Sequence, residues 1–202
     1  MVKIYFTLFL FIIILNLTFS IDIKDKIIII IRHGEKISEE TTDLSPKGLA
    51  RAKCLPNLFS DSGLNYIPSK LYANKKNENS TRPYDTIEPL AKKLNLTIEV
   101  FDKSTDQQIT DFVQNKLIVD QHDIILVSSS QSVIPKITKL LGHEIIVPEE
   151  EFDKYFIWKN GKYETEGNQS DYIGNCIKEH SGSFFLKRNF LTIFIFILFL
   201  LI

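Results

Sequence analysis

The stretch Lys26-Ile27-Ile28-Ile29-Ile30-Ile31-Arg32-His33-Gly34-Glu35 decides how this chain is read. An unbroken isoleucine run has no polar face, so a strand formed here must be covered on both sides. The run stops abruptly at an arginine, a histidine and a glycine. In open sheets wrapped by helices, ligands bind outside the carboxyl ends of the strands. Arg32 and His33 therefore stand where a site is expected. A guanidinium offers a planar donor fork suited to phosphate. A histidine nitrogen can attack phosphorus and carry a covalent intermediate. Gly34 lets the backbone turn closely around an anion.

Outward from this stretch, strand and helix patterns alternate. Ser45–Ser60 reads as a helix with Ser45 as cap, Pro46 in the first turn and an interruption at Pro56. Lys70–Ala73 and Thr97–Phe101 read as strands, and Arg82–Asn95 as a helix opened by Pro83. Ile87, Leu90, Ala91 and Leu94 fall on one face of that helix. Ser104 with Gln107 suggests a capping box for a helix running to about Lys116. Ile124–Ser129 is a second buried strand, and Ser132–Leu141 a helix closed by Gly142. Ile145–Val147 reads as a last short strand. Asn160-Gly161, between Phe156–Lys159 and Lys162–Thr165, is a two-residue hairpin signal. Repeated strand–helix units predict a three-layer α/β/α sandwich with a mostly parallel central sheet. The residues just after Ile31, Ala73 and Val127 then carry the site.

These motifs together resemble the histidine phosphatase superfamily, also called phosphoglycerate mutase-like, over roughly residues 26–142. Ile27–Ile31 followed by Arg32-His33-Gly34 is similar to the family's first strand and nucleophile motif. Asp43-Leu44-Ser45-Pro46-Lys47-Gly48, with Ala50 and Ala52, resembles the segment opening the next helix. Ser69–Asn74 followed by Arg82 and Thr86 resembles the stretch that delivers a second phosphate-binding arginine. Ile124–Ser129 is similar to the strand leading to the second catalytic histidine. The Arg-His-Gly-Glu-Lys form, with Ile134-Pro135-Lys136 downstream, is most similar to a fungal-type branch.

The resemblance implies a phosphomonoesterase in which His33 becomes phosphorylated while Arg32 and Arg82 clamp the phosphoryl oxygens. It implies neither metal nor cofactor. The chain departs from the pattern at Ser129-Ser130-Gln131-Ser132-Val133-Ile134. Ser130 stands where the second histidine is expected, with Gln131 next to it. His122 is expected at the opposite end of the sheet, His143 at the far end of the following helix and His180 in a C-terminal stalk, so none is expected to substitute. Ser130, Gln131 and the amides of a helix opening at Ser132 still offer hydrogen bonds to phosphate. The loss of one donor aimed at the transferring group typically costs about 10²–10³ in rate. The proton donor is open, with Asp102 and Asp106 as the candidates. Three readings follow: a weakened phosphatase acting on a small phosphorylated substrate, an inactive protein that binds a phosphorylated ligand or partner, or a scaffold without phosphate affinity.

Composition narrows the field further. The 202 residues carry 24 Lys and Arg against 25 Asp and Glu, so no basic surface for nucleic acid is expected. Two cysteines support neither a disulfide scaffold nor a zinc cluster. Residues 1–20 read as a secretory signal, with Lys3, an apolar run from Ile4 to Leu15, and Thr18 and Ser20 before the cut. A retained membrane anchor is the alternative. Phe190–Ile202 is a second apolar run preceded by small residues and a basic spacer, as in a glycolipid (GPI) anchor signal. A membrane tail is the other reading, so the folded domain is placed at 21–180 and the tail at 181–202. In a secretory setting Asn79, Asn95 and Asn168 are glycosylation sequons at a cell-surface or extracellular protein. Cys54 and Cys176 are then either one disulfide or two free thiols.

Overall fold

The computed structural model describes residues 25–38, 41–78 and 80–181. The isoleucine run forms β1 (Ile27–Arg32), buried at every position. The other strands are β2 (Lys70–Asn74), β3 (Ile98–Phe101), β4 (Ile124–Ser129), β5 (Lys154–Lys159) and β6 (Lys162–Asn168). They form one six-stranded sheet in the order β3-β2-β4-β1-β5-β6. Within it β1, β2, β3 and β4 run parallel. The β5–β6 hairpin is added antiparallel along the free edge of β1.

The helices are α1 (Pro46–Leu58), α2 (Arg82–Leu94), α3 (Asp106–Phe112) and α4 (Ile134–Leu140), with α5 over residues 170–181. Alternate isoleucines of β1 point to opposite faces, as strand geometry requires. Ile27, Ile29 and Ile31 join one core with Leu55 and Leu58 of α1, Ile87 and Leu90 of α2, and Ile173 and Ile177 of α5. Ile28 and Ile30 join the other with Ile109 and Phe112 of α3 and Ile134 and Ile137 of α4. Two cores on one sheet make the three-layer α/β/α sandwich.

The structure differs from the pattern reading at several points, each with a local cause. Pro56 does not interrupt α1. It lies in the last turn, where it removes one donor, and the Phe59 amide still reaches Leu55 O at 3.1 Å. The capping box is Thr105 with Gln108, one residue later than expected. Ser104 is unavailable because Asp102 Oδ1 accepts from both its amide (2.9 Å) and its hydroxyl (2.6 Å). The same helix passes into a π-helical turn at Val113–Leu117. α4 opens at Ile134 rather than Ser132, because Ser130 O takes the Val133 and Ile134 amides in a turn. Ile145–Val147 forms no strand. The Ile145 amide is held by Thr138 Oγ1 at 2.9 Å, and Ile145 and Val147 plug the second core.

α5 falls where the sequence suggested only a stalk. Cys176 on this helix is disulfide-bonded to Cys54 on α1, with Cα atoms 6.0 Å apart and 122 residues between them in the chain. No helix among the described residues is long and apolar enough to cross a membrane. The apolar runs at 1–20 and from Phe190 onward lie outside the described residues. A crosslink closing so long a loop restricts the unfolded chain, so replacing Cys54 and Cys176 together by serine is expected to lower stability by about 2–4 kcal/mol, read by equilibrium denaturation.

Candidate active site

Parallel pairing brings the ends of β1, β2 and β4 to one edge of the sheet. Arg32 is in register with Ser129, and the His33 amide continues the ladder onto Ser129 O at 3.0 Å. A cleft of about 540 Å³ opens there, lined by Arg32, His33, Lys36, Ser80, Arg82, Lys103, Ser130, Gln131, Ser132 and Glu149. The structure thus brings together five of the residues expected from sequence: Arg32, His33, Arg82, Ser130 and Gln131.

His33 is almost wholly buried, at 4% exposure. Its Nδ1 lies 2.7 Å from Gly34 O. A carbonyl only accepts, so Nδ1 carries the proton and the lone pair resides on Nε2. Burial, with the positive charges of Arg82, Arg32 and Lys103, pushes the imidazole down to about 4. At neutral pH the ring is uncharged, with an unprotonated Nε2, among cations.

Both arginines are held by backbone carbonyls. Arg32 Nη1 donates to Pro148 O and Glu151 O at 3.0 Å and to Glu149 O, while its guanidinium stacks 3.8 Å from the Phe152 ring centre. Arg82 Nη1 donates to Thr41 O at 3.0 Å and to Ser38 O at 3.4 Å. The Nε of each is buried with no partner among the described residues. Buried donors left unspent typically cost about 1–3 kcal/mol each, and an incoming anion relieves such a cost.

The turn carrying His33 is fixed from three sides. A Cβ on Gly34 would come within 3.0 Å of the Gly48 backbone, and one on Gly48 within 2.3 Å of Glu35 O. Two glycines are therefore needed for this loop to lie directly on the start of α1. The Gly34 amide donates to Thr86 Oγ1 at 2.9 Å, and Thr86 in turn donates to Arg82 O at 2.7 Å. The third support is Arg51, which the sequence reading passed over. Its Nη2 and Nε grip Glu35 at 2.7 and 3.0 Å, and its Nη1 grips Asp153 at 2.7 Å and Gln169 at 3.3 Å. Burial pushes the Glu35 carboxyl up, but bonding and attraction to Arg51 outweigh it and hold the group down at about 2.

Asp102 and Asp106 are not brought to the cleft. Asp102 is half-buried and spent on the turn that binds Ser104, and Asp106 is exposed and paired with Lys136. Glu149 is the one carboxylic acid among the described residues lining the cleft, and it pairs with Lys36 at 3.4 Å. Lys103, Lys36 and Ser80 also line the cleft and were not singled out as site residues from the sequence. Position after a strand end was the available signal for Lys103. None was available for Glu149, which arrives on a loop.

The remaining histidines stand elsewhere. His122 pairs with Asp120 at 2.6 Å, His143 stacks on Tyr163 at 4.1 Å, and His180 lies 3.3 Å from Lys53. Asn95 is exposed in a left-handed cap at the end of α2, and Asn168 is half-buried at the end of β6. Asn79 lies outside the described residues.

Among solved structures, the fold is similar to that of the protein histidine phosphatase SixA complexed with tungstate. The TM-score is 0.54 at 16% identity, over 72% of this chain and 98% of that one. The chain has a histidine phosphatase-type fold. It is also similar to the alpha-ribazole phosphatase from Shigella flexneri, with a TM-score of 0.50 at 14% identity, over 68% of this chain and 93% of that one. No protein-family model and no curated protein matches the sequence.

The buried Arg51 bridge makes two mutational outcomes definite. Arg51→Leu strands Glu35 and Asp153 and is expected to cost about 3–5 kcal/mol in denaturant titrations. Gly48→Ala is expected to displace Glu35 and lower any activity at least tenfold, because the obstructing atom is backbone.

Proposed function

We propose that the chain is a histidine phosphatase-like phosphomonoesterase of reduced activity, of the fungal-type branch, working through a phospho-His33 intermediate. One observation carries this reading: a buried, neutral His33 whose Nδ1 is tied to Gly34 O, beside two guanidiniums. That arrangement leaves Nε2 as the attacking atom and gives the phosphoryl oxygens their counter-charge.

In the first step Nε2 forms a bond to phosphorus as the bond to the ester oxygen breaks. Glu149, the one carboxylic side chain lining the cleft among the described residues, is the group placed to pass a proton to the departing alkoxide. In the second step water attacks phosphorus, returns a proton to Glu149, and the phosphorus–nitrogen bond breaks. His33 and inorganic phosphate are regenerated. The reading includes a secretory route and a surface anchor. The leader-like residues 1–20, the terminal apolar run, the sequons and the Cys54–Cys176 disulfide support it.

The test is hydrolysis of an aryl phosphate, with trapping of acid-labile phosphohistidine. Wild type is expected to turn over and to label, and His33→Ala to do neither. Equal background rates and no label in either protein sink the enzyme reading. Because His33 stays neutral down to about 4, the acid limb of kcat/KM assigned to it is expected near pH 4 rather than near the usual histidine value. A limb at 6.5 rejects His33 as the free nucleophile. Glu149→Gln is expected to slow alkyl phosphates about 10²-fold while sparing nitrophenyl phosphate, whose leaving group needs no proton.

A second reading is favoured by one fact. Glu149 is already engaged by Lys36, so the cleft's proton donor is not free. A protein that binds phosphorylated ligands without turnover would take up phosphate yet never label His33.

A further inference from the structure

The turn after β4 carries a serine, Ser130, beside His33. This hydroxyl is not alone. Lys103 Nζ lies 3.2 Å from Ser130 Oγ, and both side chains line the cleft. Lys103 follows β3, two strands away from β4 in the sheet. Strands lie about 4.8 Å apart, so the lysine spans roughly 10 Å over the end of β2 to arrive there. Asn74, the last residue of β2, fixes the landing point: its Oδ1 accepts from Ser129 Oγ at 3.0 Å and from the Ser130 amide at 2.9 Å.

Among the described residues, no carboxylate is paired with Lys103. It is half-buried, and its ammonium is pushed below its ordinary value by burial and by the charge of Arg82. Two like charges held together in a partly desolvated cleft repel each other, and an anion between them removes that cost.

We propose that Lys103 and Ser130 form a composite phosphoryl-binding group, a lysine ammonium supplied from β3 doing the work of a cationic donor beside His33. One Lys103 proton goes to Ser130 Oγ, leaving two for phosphoryl oxygens. Ser130, accepting from an ammonium, donates its own hydroxyl proton more strongly. Arg32, Arg82 and Lys103 then surround a phosphoryl group bound at His33. The inference rests on the reading of the cleft as a phosphoryl site. It goes further in assigning its third cation, and it makes the position of Ser130 intelligible.

The experiment is titration of inorganic phosphate into the purified full-length protein by calorimetry, with aryl phosphate hydrolysis measured alongside. Lys103→Met is expected to weaken phosphate binding about 10–100-fold, the usual worth of a charge-assisted hydrogen bond. Lys103→Arg is expected to stay within a few-fold of wild type. Adding Ser130→His to Lys103→Met is expected to restore binding below the imidazole's titration range, because it returns a cationic donor to the same spot. A folding defect in Lys103→Met would not be repaired in that way. Phosphate binding equal in wild type and Lys103→Met overturns the inference, as does a wild type that binds no phosphate. Binding that depends on Lys103 in a protein that never labels His33 supports the inference while rejecting the enzyme reading.

Discussion

Arg51 holds Glu35 with one edge of its guanidinium and Asp153 with another, deep below the surface. Glu35 sits two residues after His33, and Asp153 sits just before β5. One side chain on α1 therefore locks the turn carrying His33, the helix beneath it and the entry to the antiparallel hairpin into a single arrangement. Buried ion pairs contribute little net stability, because desolvation offsets attraction. Their geometry is demanding, however, and that demand transfers to the loops they join. The rest of the cleft is built on this fixed corner: Arg32 reaches the carbonyls of the loop leading to Asp153, and Phe152 supplies the ring on which its guanidinium stacks.

The electrostatics follow from the same enclosure. Burial among cations keeps His33 uncharged, so Nε2 keeps its lone pair without a neighbouring base. The same cations repel one another until an anion enters. The unprotonated imidazole and the uncompensated positive charge thus have one source, a partly dry cleft crowded with cations. Backbone carbonyls, rather than carboxylates, position both arginines. Among the described residues neither guanidinium forms an ion pair with a carboxylate, although Glu149, Glu150 and Glu151 lie near Arg32.

Much of this was legible in the sequence because the signals were local. The isoleucine run specified a strand covered on both faces, and the Arg-His-Gly ending located the site at its carboxyl end. Ser45, Pro83 and Asn160-Gly161 marked helix starts and a hairpin by backbone chemistry alone. The unread parts depend on contacts distant in the chain. Arg51 looks like an ordinary helix residue until Asp153 and Gln169 arrive, more than a hundred positions later. Lys103 and Glu149 reach the cleft from loops with no periodicity. Asp102 illustrates the converse: it stood after a strand end but was consumed by its own turn, which also moved the capping box from Ser104 to Thr105.

The outermost strand has a consequence for how copies of this chain meet. Among the described residues β6 pairs only with β5, which leaves its other ladder edge as a template for another strand. Along it Lys162, Glu164 and Glu166 alternate with smaller or aromatic residues, and all three are exposed. A second copy adding edge to edge would have to bury those charges or set Glu164 and Glu166 against their counterparts. At the opposite edge β3 has only four residues, a short template for such pairing. Charge along one margin and brevity at the other both disfavour edge-to-edge pairing of two copies.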